Sequence, residues 1–179
     1  MKIYDVVIVG AGPGGIASAI ECKKMGIENI VLLEKTDNIS AMIREYYKDG
    51  KRVDKDYKGQ VVTLAGHIPF SDGNKESTLD LFSKLLDENS VEIKLQHEVD
   101  NVSKKDSVFI VRTTNNVEFH AKHVIIGIGK MGKPNKPSYP LPTSLRKKIN
   151  FNVNDCVAGE EILVVGGGNS AVEYAIALN

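Results

Sequence analysis

The sequence has no tryptophan, only two cysteines and no surplus of either charge, and each shortage removes a class of protein. Lys plus Arg and Asp plus Glu both number 23, so the formal net charge is zero and bulk electrostatics offers nothing to a nucleic acid or an anionic membrane. The short basic runs Lys51-Arg52 and Arg146-Lys147-Lys148 read as solvated faces, the first interleaved with Asp54 and Asp56. Cys22 and Cys156 lie far apart and neither belongs to a C-x-x-C pair, the usual dithiol or zinc signature. Cys22 falls in a helical pattern and reads as a small buried hydrophobe, and a structural reading of Cys156 is favoured over a lone redox thiol. No apolar run reaches the roughly twenty residues of a membrane helix. The apolar start could pass for a secretory leader, yet Asp5 and a Gly-Pro turn interrupt it, so a cytoplasmic protein with reduced thiols is expected. His67, His97, His120 and His123 lack metal-ligand spacing and read as surface or sheet-edge residues. No Ser-His-Asp or Cys-His constellation can be assembled.

What the chain does have is glycine in a particular setting. Val6 to Val9 form an uninterrupted apolar β-branched run, as a strand buried on both faces of a parallel sheet requires. Gly10, Gly12 and Gly15 follow in G-x-G-x-x-G spacing, with Pro13 and Gly14 between them, and a helical pattern starts at Ile16. Gly10 permits the tight turn, Gly12 lets the backbone approach a pyrophosphate, and Gly15 allows close helix-strand packing. The helix N-terminus then presents free N–H groups to the anion. A second apolar strand, Ile30 to Leu33, ends in Glu34, nineteen residues after Gly15, where a carboxylate that accepts from an adenosine ribose is expected. Lys35 comes next. The alternative is a phosphate-free βαβ unit with a surface Glu, but strand, glycines, helix and acid all agree on dinucleotide binding.

Lys35 to Gln60 is polar, with a short helix expected within Ile39 to Tyr47 and a charged loop after it. Leu79, Phe82, Leu85 and Leu86 mark an amphipathic helix capped by Ser77 or Thr78. Val91 to Leu95 alternates as a half-buried strand does. A β-meander is expected next, with strands at 97–102, 108–113 and 117–120 and turns at 104–106 and 115–116. His123 to Gly129 reads as a separate buried strand running into glycines, and Gly132 to Pro142 as a proline-rich linker. A second fingerprint follows. Glu161 to Val165 reads as a buried strand entering a G-x-G-x-x-A turn of Gly166, Gly168 and Ala171, with Asn169 and Ser170 opening a helix.

Two dinucleotide turns separated by a β-meander and a glycine-ended strand resemble the two-dinucleotide-binding flavoproteins, the pyridine nucleotide-disulfide oxidoreductases. Within that family the resemblance is to the N-terminal half of the low-molecular-weight thioredoxin reductase-like branch, including bacillithiol-disulfide reductase-like proteins. It implies an α/β fold: a Rossmann-like FAD-binding βαβ sheet with a β-meander insertion, followed by the start of a second Rossmann unit. Residues 1–130 would be the FAD-binding domain, 131–158 a linker and 159–179 the truncated start of an NAD(P)-binding domain. Gly10, Gly12, Pro13, Gly14 and Gly15 would line the FAD pyrophosphate, with Glu34 and Lys35 at the adenosine ribose and the backbone of Val99 at the adenine. Gly129 corresponds to the family's exit from the flavin domain, while Gly166, Gly168, Asn169 and Ser170 would face NADPH or NADH. Hydride would pass from nicotinamide to flavin and on to a disulfide or small protein acceptor, in a homodimer, with no catalytic side chain and no metal in this chain.

Three departures qualify that picture. The Cys-x-x-Cys that precedes the second turn in thioredoxin reductases is replaced by NVNDCVAGEE, which disfavours direct thioredoxin reduction. Ser40-Ala41-Met42-Ile43 stands about where the family has Gly-Gly-Gln. The family's C-terminal flavin segment lies beyond Asn179, so the sequence reads as the first part of a longer reductase. A non-catalytic nucleotide-binding module and a ferredoxin-NADP reductase-like flavoprotein are the alternatives, and a single-cofactor NAD dehydrogenase is disfavoured by the second turn.

Overall fold

The computed structural model describes residues 2–56, 59–129, 136–157 and 159–178. The chain divides into two compact units, Met1–Lys130 and Met131–Asn179. Tyr57 of the charged loop and residues 132–135 of the expected linker lie outside the described residues.

The first unit is built on one six-stranded sheet. Its strands are β1 (Ile3–Val9), β2 (Ile30–Leu33), β5 (Glu92–Lys94), β6 (Val99–Lys105), β7 (Val108–Thr113) and β8 (Glu118–Ile126), ordered β5-β2-β1-β8-β7-β6. The β5-β2-β1-β8 half is parallel and the β8-β7-β6 half antiparallel. The two-residue strands β3 (Arg52–Val53) and β4 (Gly73–Asn74) make a separate antiparallel ribbon. Because side chains alternate across a strand, β1 sends Val6 and Ile8 to one face and Val7 and Val9 to the other. On the first face they pack with Ile16, Ala19 and Ile20 of α1 (Pro13–Lys24) and with Leu79, Phe82 and Leu86 of α3 (Lys75–Glu88). On the second face they meet Val111, Phe119 and Ala121 from the meander. A strand covered on both faces must be apolar at every position, as Val6 to Val9 is.

Several sequence-derived boundaries move. The helix expected within 39–47 is α2 (Ala41–Tyr46), and the loop after it contains β3. Asn74 caps α3, not Ser77 or Thr78; its side chain accepts from the Ser77 N–H at 2.9 Å, and Ser77 Oγ accepts from the Asn74 N–H at 3.0 Å. This reciprocal pair satisfies two helix-end donors, with Ser77 three positions inside the helix. The first meander strand begins at Val99 and continues through Lys105, so the turn centres on Asp106, a left-handed residue with φ 54°.

The third meander strand and the glycine-ended strand are one strand, β8. Its first half pairs with β7 and its second with β1, the two ladders overlapping at His120 and Ala121. The residues between the two expected strands, Ala121 and Lys122, lie inside β8. Lys122 projects outward to an ion pair with Asp5 at 2.7 Å, and the backbone runs on because both its edges have partners. The C-terminal end of β8 is not a buried strand either, since Ile126 and Ile128 are exposed.

The second unit contains two single-turn 3-10 helices, Thr143–Leu145 and Val153–Asp155, and α4 (Asn169–Ala177). The buried strand expected at 161–165 is absent: no strand is formed there and Leu163 and Val165 are exposed. Strand geometry needs a neighbouring ladder, and no strand occurs among the described residues of this unit.

Candidate functional site

Three backbone segments converge where β1 ends. Gly10 adopts φ +98°, and a Cβ there would lie 2.6 Å from the Gly127 carbonyl oxygen. A Cβ on Gly15 would overlap the carbonyl oxygen of Gly10, and one on Gly127 would lie 3.0 Å from the Gly15 nitrogen. The strand exit, the first turn of α1 and the end of β8 therefore touch backbone to backbone, and none admits a side chain. Gly12 and Gly14 are different. A Cβ on either meets nothing within 4 Å, so these two glycines border open space.

Gly12 is the N-cap of α1 and Pro13 occupies the first helical position, where its missing N–H costs no intrahelical bond. The N–H groups of Gly14 and Gly15 belong to the first turn and have no acceptor inside the helix. Together with the helix dipole they suit an anion on the open side of Gly12 and Gly14. Ala11, between the glycines, is pinned at both ends of its backbone. Its N–H donates to Glu34 Oε2 at 2.9 Å, and its carbonyl accepts from the Ser40 N–H at 2.8 Å. The Gly10 N–H donates to the Leu33 carbonyl at 2.8 Å.

Glu34 is buried at the end of β2, and its other oxygen accepts from the Thr36 N–H and hydroxyl, both at 3.0 Å. Three of roughly four carboxylate acceptor sites are thereby used, leaving about one for an incoming hydroxyl. Lys35, beside it, is exposed. The His97 N–H donates to the Glu34 carbonyl at 2.8 Å and the Gln96 N–H to the Thr36 carbonyl at 2.8 Å, which draws the approach to β6, and Val99 at its start, alongside Glu34. Gly129, with φ +70° and open space around it, lies two residues beyond the packed Gly127.

Of the residues singled out from the sequence, Gly10 to Gly15 and Glu34 share one hydrogen-bonded cluster, with Val99 and Gly129 at its margins. Gly127, Ser40 and Thr36 belong to the same cluster, and none of the three was among the expected binding residues. Gly127 did carry a signal, a glycine at the end of an apolar run. Ser40 and Thr36 carried none, because their roles arise from where the chain turns after β2.

In the second unit Gly168 caps α4, which begins at Asn169 and Ser170. Gly166 has φ +150°, and a Cβ there would sit 3.2 Å from Ala171 Cβ. Gly167 and Gly168 border open space, as Gly12 and Gly14 do.

The two cysteines are not joined to each other. Cys22 is buried in α1, where burial pushes its thiol above the usual range and suppresses the thiolate, and Cys156 is a free, half-buried thiol. No group of three or more potential metal ligands occurs among the described residues, and none of their helices is long and apolar enough to cross a membrane.

Comparison with known proteins agrees with this architecture. The chain is 27% identical over 177 residues to a ferredoxin–NADP reductase of Ignicoccus hospitalis, covering 97% of this chain and 52% of that protein. It is 30% identical over 191 residues to a thioredoxin reductase of Helicobacter pylori, covering 98% and 52%. Among solved structures, the bacillithiol disulfide reductase Bdr of Staphylococcus aureus superimposes with a TM-score of 0.74 at 21% identity, covering 99% of this chain and 54% of that one, which establishes the shared fold. The chain thus spans about half the length of the curated relatives it matches. With residues 7–179 matching the family described as pyridine nucleotide-disulphide oxidoreductase, and both glycine turns inside that match, the chain belongs to that family.

Proposed function

We propose that this chain supplies the cofactor-binding part of an FAD-dependent NAD(P)H oxidoreductase whose acceptor is a disulfide or a small electron-transfer protein. The observation that carries the reading is the first turn: Ala11 is clamped between Glu34 and Ser40, so Gly12 and Gly14 present a fixed, open cradle. The residues fit a dinucleotide. Gly12, Gly14 and Gly15 would hold the pyrophosphate of FAD with backbone N–H groups and the positive end of α1, and Pro13 would set the helix start. Glu34 would accept from the adenosine ribose with its remaining acceptor site, Lys35 would flank it, and the backbone of Val99 would meet the adenine. Gly129 would border the flavin side. Gly166, Gly168, Asn169 and Ser170 would receive the pyrophosphate of NADPH or NADH.

The bound cofactors supply the hydride donor and the two-electron acceptor, and this chain positions them. On this reading residues 1–130 are the FAD-binding domain, 131–158 a linker and 159–179 the start of the NAD(P)-binding domain. Relatives named as ferredoxin–NADP reductase and thioredoxin reductase support a disulfide or small-protein acceptor, while the lack of a Cys-x-x-Cys pair weighs against direct thioredoxin reduction. Family resemblance supports a homodimer, and the reduced thiols suit a cytoplasmic setting.

The test is titration of the purified chain with FAD, and separately with NAD, followed by removal of excess ligand. Retention of a flavin band near about 450 nm is expected. A chain that keeps NAD but excludes FAD would overturn the assignment of the first turn.

A further inference from the structure

Ser40 carries a conjunction that the function above does not use. The residue is 2% exposed, and its Oγ is buried with no hydrogen-bond partner. It is also left-handed, with φ 53° and ψ 38°, a conformation that glycine adopts readily and serine seldom does. Its backbone is fully engaged. The N–H donates to the Ala11 carbonyl at 2.8 Å, and the carbonyl accepts from Ile43 at 2.9 Å and Arg44 at 3.1 Å. Every part of Ser40 is committed except the hydroxyl, which sits one side chain away from the middle of the glycine turn.

A buried hydroxyl without a partner calls for a reason, and strained residues of this kind gather where ligands are clamped. The donor count of the turn supplies one. Ala11 gives its N–H to Glu34 and Pro13 has none, so the positions on either side of Gly12 offer a bound anion no donor. We propose that the Ser40 hydroxyl is an additional donor to a phosphate oxygen of the dinucleotide pyrophosphate held at the Gly10–Gly15 turn. The hydroxyl is free to reorient about χ1 toward a bound phosphate without breaking a bond, because it holds none. The proposal rests on the reading of the first turn as a dinucleotide site.

The experiment compares wild type, Ser40→Ala and Ser40→Gly by FAD titration, followed through quenching of flavin fluorescence, and by urea unfolding without ligand. Loss of a hydrogen bond to a charged oxygen weakens FAD binding about ten- to hundredfold in both variants. Unliganded stability moves the other way: Ser40→Gly raises the urea midpoint by removing the left-handed strain, and Ser40→Ala leaves it no lower. If wild type binds FAD and Ser40→Ala binds within about threefold of it, the inference falls and the dinucleotide reading stands. A parallel loss of stability and affinity in both variants would make Ser40 a structural residue and overturn the inference. Wild type that binds no FAD, either as this chain or joined to a C-terminal flavin segment, removes the reading and the inference together.

Discussion

The four glycines of the first turn should separate into two pairs on substitution by alanine. At Gly10, φ of +98° costs a residue with a Cβ about 1–2 kcal/mol, and the 2.6 Å approach to the Gly127 oxygen adds an overpacking penalty of about 1–3 kcal/mol, so Gly10→Ala should destabilise by about 2–5 kcal/mol. At Gly15 the new methyl overlaps the Gly10 carbonyl oxygen, which is backbone and cannot rotate aside. A penalty of about 3 kcal/mol is offset only in part by the gain of about 1 kcal/mol when alanine replaces a helical glycine. Gly14 is helical and borders open space, so Gly14→Ala should stabilise by about 0.5–1 kcal/mol. Gly12→Ala, at an N-cap with φ −83°, should cost less than about 1 kcal/mol. Affinity should divide the same four differently: methyls at positions 12 and 14 enter the space assigned to the pyrophosphate and should abolish FAD retention in stable proteins. Urea midpoints paired with FAD titration read both quantities. Equal destabilisation by Gly12→Ala and Gly10→Ala, or a Gly15→Ala protein that unfolds at the wild-type midpoint, would refute the packing argument.

Three further outcomes follow from single contacts. Glu34→Gln converts one oxygen into a donor facing either the Ala11 or the Thr36 N–H, so thermal unfolding should show a loss of about 1–3 kcal/mol and amide exchange at Ala11 should quicken. Asn74→Ala removes the acceptor for the Ser77 N–H and should cost about 1 kcal/mol, read as a lowered urea midpoint; Thr78→Ala should leave the helix start intact. The His67 side chain and then its backbone N–H hold the Glu21 carboxyl below its ordinary 4.5, tying the Gly66-His67 segment to α1. A carboxyl depressed on folding contributes stability above pH 4.5 that is lost as pH falls through the depressed value. Glu21→Gln should therefore flatten the acid limb of a urea-midpoint profile between pH 7 and 3, and an unchanged limb would refute the linkage.

The parallel half of the sheet was legible because burial on both faces leaves only apolar residues, and Val6 to Val9 and Ile30 to Leu33 announce that environment locally. The first glycine turn was legible for the same reason, since each constraint acts within a few residues. β8 was misread because its continuity depends on two ladders, one with the adjacent β7 and one with β1, which is remote in sequence, and Lys122 finds its counter-charge on Asp5. Asn74 was passed over as a cap in favour of residues nearer the apolar stripe, although the capping pair lies within three positions. The strand expected at 161–165 shows the converse: an apolar run specifies a buried strand only where a ladder is available to receive it. Glu34 was placed correctly at the end of β2, whereas Ser40 and Thr36 depend on how the chain turns afterwards, which no periodicity encodes.

The pairing of β1 with β8 also sets an order of events during synthesis. Asp5 and Lys122, joined across that ladder, stand 117 positions apart. At translation rates of about 5–20 residues per second, the later residue emerges some 6–23 s after the earlier one. Once Leu33 has emerged, and until β8 follows, β1 has β2 available on one edge and nothing native for the other. An open β-branched edge recruits foreign strands. The nascent chain is therefore most prone to mispairing just before its cofactor turn acquires the third backbone that completes it.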